Sequence, residues 1–421
     1  MYRFEWFEQV RLGTAARVDA ASAARVSPVV WALGFTSLLT DISAEMVNST
    51  LPVYLVLHLR MSPAQYGLID GLYNGFAVAL LALLAGWLAD RHARQKELAL
   101  VGYGVSALCK LALLGAASWG WLLWVVGLDR AGKGLRTAPR DALISLNSPS
   151  GQYAGAFALH RALDACGSLL GPIVAFALLA QLPGAFDAVW MTSFIFGLLG
   201  VAVLWCFVPR PARTPAMPAP ASVSAPAAAA AAGPWITRRL LLLAGCGALL
   251  ALATISDGFI YLLLQQRQPA AAGWFPLFYV VTAAAYMLLS LPAGRLADRA
   301  GRARVFLGGY AVLIALYAAL LGGDALGVPA LVGCLCLLGL FNAATEGVLM
   351  AMASAEVPAG RRTTGLALVA TGVGLGKLVS SVLFGWLWQA QGTATAVSVF
   401  IAALGLALFI VHRALKGKVL A

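Results

Sequence analysis

The chain has 421 residues, of which 61% are hydrophobic and only 11% charged, against roughly 25% charged residues in a soluble domain. Its formal charge of +12 would suit nucleic acid if it were gathered on one face, but the Lys and Arg residues are scattered through short segments between apolar runs, which excludes that partner. The composition is that of an all-α integral membrane protein.

Apolar runs of about 20 residues, each able to cross about 30 Å of hydrocarbon as a helix, recur from Ser27 to His412. In chain order the expected spans are 28–57, 65–89, 97–117, 119–145, 153–181, 187–208, 239–265, 272–296, 303–322, 328–353, 363–389 and 394–413. The first starts near Val29 and has no small-residue cleavage site behind a short core, so it reads as a retained helix and not a signal peptide. The stretch 209–238 is rich in Pro and Ala and reads as an extended cytoplasmic linker. It joins an N-terminal half, 28–208, to a C-terminal half, 239–413, with cytoplasmic end segments at 1–27 and 414–421.

Placing both termini inside puts Arg91, Arg94, Lys96, Arg210, Arg213, Arg238, Arg239, Arg295, Arg299, Arg302, Arg304, Arg361 and Arg362 on the cytoplasmic side, and leaves Arg60 and Arg267 opposite. This bias fixes an even number of spans with both ends cytoplasmic; a multi-pass protein of the cell (inner) membrane is expected. The six cysteines all lie in apolar spans without a C-x-x-C pattern and read as small core residues, not metal ligands.

An ionisable residue at the bilayer centre costs about 2.5–3.5 kcal/mol, so each one is paired, hydrated or used. Asp41 and Glu45 stand four apart in the first span and share a face, with Asn48 beside them. Two carboxylates that close repel, which poises one of them to hold a proton; the alternative is a structural salt bridge to Arg130 or Lys133. Asp70 and Asn74, with Tyr66 and Tyr73, mark the outer end of the second span as a hydrated helix end or an outer gate. His160 and Asp164 form a second pair four apart in the fifth span, a proton relay or, with Arg161, an ion network. No third ligand at helical spacing accompanies either pair, so no metal is expected.

The loop after the second span, Gly86-Trp-Leu-Ala-Asp90-Arg91, recurs after the eighth as Gly294-Arg-Leu-Ala-Asp298-Arg299, 208 residues later (298 − 90). Two parallel six-helix repeats of this kind are a transporter architecture. On these motifs the chain resembles the major facilitator superfamily over its whole length. The resemblance implies twelve transmembrane helices in two pseudosymmetric six-helix halves. It also implies a cytoplasmic gate made by Gly86, Asp90, Arg91, Arg94 and Arg136 in one half and Gly294, Asp298, Arg299 and Arg302 in the other. There Asp90 would cap the eleventh span and Asp298 would act likewise toward the fifth.

Arg130, followed by Gly132, Gly134 and Pro139, is similar to the family's mid-helix arginine associated with proton coupling. Gly167-x-x-x-Gly171-Pro172 is similar to the kinked motif of the family's antiporters, although Ala175 and Phe176 stand where further glycines are usual. The fold further implies that Asp257, Asn342, Glu346 and Lys377, with Asn48, face a central substrate cavity, and that Lys110 in the peripheral third span snorkels toward an interface. The expected function is secondary active transport of a small solute by alternating access, as proton-coupled export of a small organic compound. Proton-coupled uptake of a metabolite, its anionic group drawn to Arg130 and Lys377, is the alternative, with a non-transporting sensor as a different class. No cofactor, no enzymatic activity and a monomer are expected.

Overall fold

The computed structural model describes residues 27–74, 94–115, 118–148, 153–209, 237–322, 326–357 and 362–416. Among them there is no strand. The helices are α1 Pro28–Val53, α2 Pro63–Asn74, α3 Gln95–Ala112, α4 Trp119–Leu146, α5 Tyr153–Gln181, α6 Phe186–Phe207, α7 Arg238–Leu252, α8 Asp257–Arg267, α9 Phe275–Ala300, α10 Arg302–Leu321, α11 Val328–Ala355, α12 Arg362–Gln391 and α13 Thr393–Lys416. Each expected span contains a described helix, the second only over its first part. Among the described residues nine helical stretches are long and apolar enough to cross a membrane. The helices α1 and α4 are as long but carry the polar residues from which the site is built.

Local chemistry starts these helices. Ser27, Ser118 and Thr237 each accept a hydrogen bond from a backbone N–H in the first turn that follows, satisfying donors that a helix N-terminus otherwise leaves unpaired. At the other end of α6, the Lys96 ammonium donates to the carbonyls of Trp205 (2.9 Å) and Val208 (2.5 Å), matching a cation to the negative end of the helix. The C-terminal end of α1 loosens into a π-helical turn, Tyr54–His58, just past Pro52.

The first six helices form one bundle and the last seven another. In the first, α1 packs on α5 and α6, and α3 on α4; in the second, α9 and α10 pack on α11, and α7 on α12. The bundles meet through α2 on α12 and α5 on α9. Glycines set the first of these contacts. A Cβ on Gly71 would lie 2.9 Å from the Leu378 carbonyl, and Gly67 and Gly385 are pressed still closer, to Ser381 and Pro63. These contacts lie at the end away from the interhalf linker, called here the distal end. At the linker end α9 stands clear, because from Pro292 to Arg299 only Ala293 and Ala297 are buried. Among the described residues the halves are therefore in contact at the distal end.

The seventh expected span is not the continuous helix that 239–265 implied. Helix α7 stops at Leu252, residues 253–256 run irregularly, and α8 restarts at Asp257. Side chains satisfy the freed backbone: Ile255 N–H donates to Tyr317 Oη at 2.6 Å, and Ser380 Oγ donates to the Thr254 carbonyl at 2.5 Å. Ser256 caps α8 through the Phe259 N–H. A break inside a bundle is stable only when its polar groups are re-paired in this way.

Candidate functional site

The cleft wall of the first half is built on α1. Asp41, Glu45 and Asn48 are all half-buried, and Asn48 Nδ2 donates to Glu45 Oε2 at 2.8 Å. Gly167 and Gly171 let α5 lie against this stretch: a Cβ on Gly167 would sit 3.0 Å from Asp41 Cβ, and one on Gly171 2.8 Å from Glu45 Cβ. Helix α5 runs unbroken through Pro172, so the described role of these glycines is close approach.

That approach makes Asp41 and Asp164 charged neighbours, with Arg140 beside Asp164 as well. Asp164 Oδ1 is buried without a hydrogen-bond partner. Arg136 Nη2 lies 4.0 Å from Asp41 Oδ1, its guanidinium 4.4 Å from the centre of the Tyr103 ring, and Lys133 is a further neighbour of Asp41. Arg136 is thus 5% exposed inside the first half, not at a helix end as its gate assignment required. His160 and Asp164, expected as a pair, are joined by no hydrogen bond or ion pair among the described residues, and His160 Nε2 is buried without a partner. The i, i+4 spacing puts both on one face, but the neighbouring helices offer Asp164 other company, Arg140 from α4 and Asp41 from α1.

Arg130 does not pair with Asp41 or Glu45. It donates through Nε to Asp129 Oδ2 at 3.1 Å and through Nη2 to the same oxygen, while lying 3.7 Å from the centre of the Tyr73 ring. The other Asp129 oxygen receives Lys110 Nζ. Lys110 is 3% exposed, so it does not snorkel: it is one arm of a buried Lys110–Asp129–Arg130 triad joining α3 to α4. Asp129 was the residue to notice, since an acid next to Arg130 in the middle of an apolar run needs cations on both oxygens.

The opposite wall gathers the expected C-terminal residues around the helix break. Asn342 Nδ2 on α11 donates to Asp257 Oδ2 at 3.3 Å, and Lys377 and Glu346 are the other charged neighbours of Asp257 in this half. Lys377 and Glu346 are both exposed. Lys377 stands three and four residues before Ser380 and Ser381, hence on the face of α12 that meets the other half. Tyr261 and Tyr279, with ring centres 4.5 Å apart, close the wall; Glu45 is a neighbour of the first, Tyr73 of the second.

Above the cleft, Asp70 is 7% exposed and is not a hydrated helix end. It accepts from Ser381 Oγ at 2.6 Å, Tyr66 Oη at 3.3 Å and Asn74 Nδ2 at 3.1 Å. Tyr66 sits under Gly258 and edge-on to Phe259, with ring centres 4.7 Å apart. This is a polar joint between the halves, made by α2, α8 and α12.

At the linker end, Gly86, Asp90 and Arg91 lie outside the described residues. Arg94, Gly294 and Arg299 are exposed. Asp298 is not docked on α5: its side chain is 49% exposed and its ion pair, at 3.6 Å, is with Arg302 at the start of α10. Among the described residues no group of three or more His, Cys, Asp or Glu side chains could hold a metal. Cys166, Cys206 and Cys336 are exposed and the other three cysteines buried, so only half of them are the core residues expected.

Comparison with known proteins gives a consistent result. The sequence model described as Major Facilitator Superfamily matches residues 33–279 and 258–418. An uncharacterised MFS-type transporter of Methanocaldococcus jannaschii is 30% identical over 371 residues, 86% of this chain and 89% of its own. An uncharacterised protein of Mycobacterium tuberculosis is 27% identical over 407 residues, 91% of this chain and 92% of its own. Among solved structures, the nucleoside transporter NupG superposes with a TM-score of 0.74 at 17% identity, covering 92% of this chain and 99% of that one. A peptide transporter, POT, superposes with a TM-score of 0.73 at 15% identity over 93% and 95%. Identities this low establish a shared fold and nothing about the solute.

Proposed function

Because the chain belongs to the major facilitator superfamily, we propose that it couples protons to the movement of a small organic solute through the cleft between its two halves. It is a secondary transporter of the facilitator type, a multi-pass membrane protein, and not an enzyme. In our reading both termini and the linker are cytoplasmic, the membrane is the cell (inner) membrane, the working unit is a monomer, and the halves are 28–208 and 239–413.

What supports the proton assignment is the close approach of α5 to α1 at Gly167, a Cβ there lying 3.0 Å from Asp41 Cβ, which makes Asp41 and Asp164 neighbours. One proton held between two carboxyls can be given up when Lys133 or Arg136 swings closer, or regained when a solute draws those cations away. A transporter needs such reversible loading. In this reading the pair lies on the first half's side of the cleft, while Asp257, Asn342, Glu346 and Lys377 form the facing side and hold the solute. Proton and solute then load alternately in one cavity, which makes antiport the first reading, with export of a small organic compound driven by proton entry. A second reading, uptake of an anionic metabolite, is favoured by Lys377, which is exposed in the cleft with no ion-pair partner within 4.0 Å among the described residues.

The test is proton flux in proteoliposomes on addition of members of a compound library. Wild type should show compound-dependent flux. Asp41→Asn and Asp164→Asn should lose the flux but keep exchange of labelled solute between the two sides. Flux unchanged in both variants would sink the assignment, and the direction of net solute movement separates export from uptake.

A further inference from the structure

We propose that the C-terminal half carries a binding site for one anionic phospholipid of the leaflet on the linker side. The site is separate from the transport cleft and does not depend on which solute is carried. Its basis is a cavity of about 490 Å³ at the linker end of α7, α10 and α11. That size is within the roughly 300–1,000 Å³ of small-molecule sites and suits a glycerophosphate headgroup with the first methylenes of its chains.

The lining divides by chemistry. Arg238 and Arg239 on the first turn of α7 and Arg302 on the first turn of α10 bring three guanidinium groups to the cavity, while Glu356 is the one acid lining it. The lining therefore carries a net charge of +2 (3 − 1). Leu242, Leu243 and Met352 form an apolar floor, the last two being 3% and 7% exposed. A positive rim over an apolar floor asks for a ligand with an anionic head and an apolar body.

The arginines are available to such a ligand. Arg239 is 3.8 Å from Glu356 and Arg302 is 3.6 Å from Asp298, with the arginine side chains 61% and 40% exposed; exposed pairs of that kind contribute about 0–1 kcal/mol. Arg238 has no ion-pair partner among the described residues and is exposed. A guanidinium fork matches two phosphate oxygens at once, so a phosphodiester would displace these loose pairs without stranding a buried charge. Position adds to charge complementarity. The three arginines sit on helix ends, at the boundary where lipid phosphates lie, and on the side that the arginine bias makes cytoplasmic. Anionic lipids concentrate in that leaflet, and basic pockets between helices there recognise their headgroups.

The experiment uses full-length protein in detergent micelles, titrated with phosphatidylglycerol, phosphatidylcholine or sodium phosphate, and read by native mass spectrometry and thermal unfolding. Wild type should retain one tightly held phosphatidylglycerol and rise in Tm with it, but not with phosphatidylcholine or phosphate. The double variant Arg238→Gln, Arg239→Gln should weaken that binding at least tenfold. Met352→Trp, which fills the floor and keeps every charge, should weaken it as well. Retention unchanged in both variants overturns the proposal. An equal Tm rise with phosphate alone overturns it in favour of a free-anion site. A cavity that takes no lipid even in wild type overturns it in favour of the chain's own linker as occupant. Should the variants fail to fold, the contrast between lipids on wild type still decides.

Discussion

The hydroxyl of Ser381 donates a 2.6 Å hydrogen bond to Asp70 across a separation of 311 residues, tying α12 of one half to α2 of the other. Both are buried, Ser381 at 1% and Asp70 at 7% exposure, so opening the distal end must break this bond and rehydrate an acid. A hydrogen bond to a charged group is worth about 1.5–3 kcal/mol. Ser381→Ala should therefore shift the balance toward distal opening by roughly 10- to 100-fold. Spin labels at Leu182 and Gln391, in a background without the native cysteines, should report a longer-distance population that wild type lacks. An unchanged distribution would show that the glycine contacts alone hold the joint.

A second prediction concerns the buried triad. Among the described residues Asp129 is the acid paired with both Lys110 and Arg130, so Asp129→Asn leaves two cations in the bundle core without that counter-charge. Removing one partner of a buried ion network costs about 3–5 kcal/mol. A clear fall in Tm is expected, with partial recovery when Lys110→Met is added. If the single variant unfolds at the wild-type temperature, water already shares those charges.

Tyr317→Phe should also destabilise. Its hydroxyl is the acceptor for the Ile255 N–H in the helix break, and Ile255 is 0% exposed, so the amide would be left buried and unpaired at a cost of about 1–3 kcal/mol. Hydrogen exchange at residues 253–258 should quicken in this variant while exchange in α10 itself stays as it was. Equal quickening throughout α10 would mean that the tyrosine packs the bundle and does not pin the break.

Asn342→Ala should separate solute from proton. It removes the amide that orients Asp257 on the wall facing Asp41, so apparent solute affinity should fall while the number of protons moved per solute is kept. A changed ratio with unchanged affinity would move the coupling site to the C-terminal half.

Most of the apolar runs were legible in the sequence because period and length are local properties. The walls of the cleft were legible as a list of intramembrane charges, but not as pairs. Asp41 finds Asp164 and Lys110 finds Asp129 only because glycines at 167, 102 and 132 let particular helices touch, and no sequence spacing encodes which helices touch. His160 and Asp164 share a helix face, yet the neighbouring helix offers Asp164 a different partner. The break in the seventh span left one local signal. Ser256-Asp257-Gly258 is a cap followed by a poor helix former, set where an uninterrupted apolar run invited a continuous helix.

The fit of Tyr66 beneath Gly258 bears on what a cell can tolerate. With no side chain at 258, the tyrosine hydroxyl reaches the turn of α8 where the halves meet; a methyl there would lie 2.1 Å from it. A chain carrying Gly258→Ala would be expected to bind solute and still fail to shut, so that protons and solutes run down their gradients through it. The harm would grow with the amount of protein made, and expression of the variant should slow growth beside an untroubled null. For a carrier, the tightness of the closed door is as much a condition of life as the passage of the cargo.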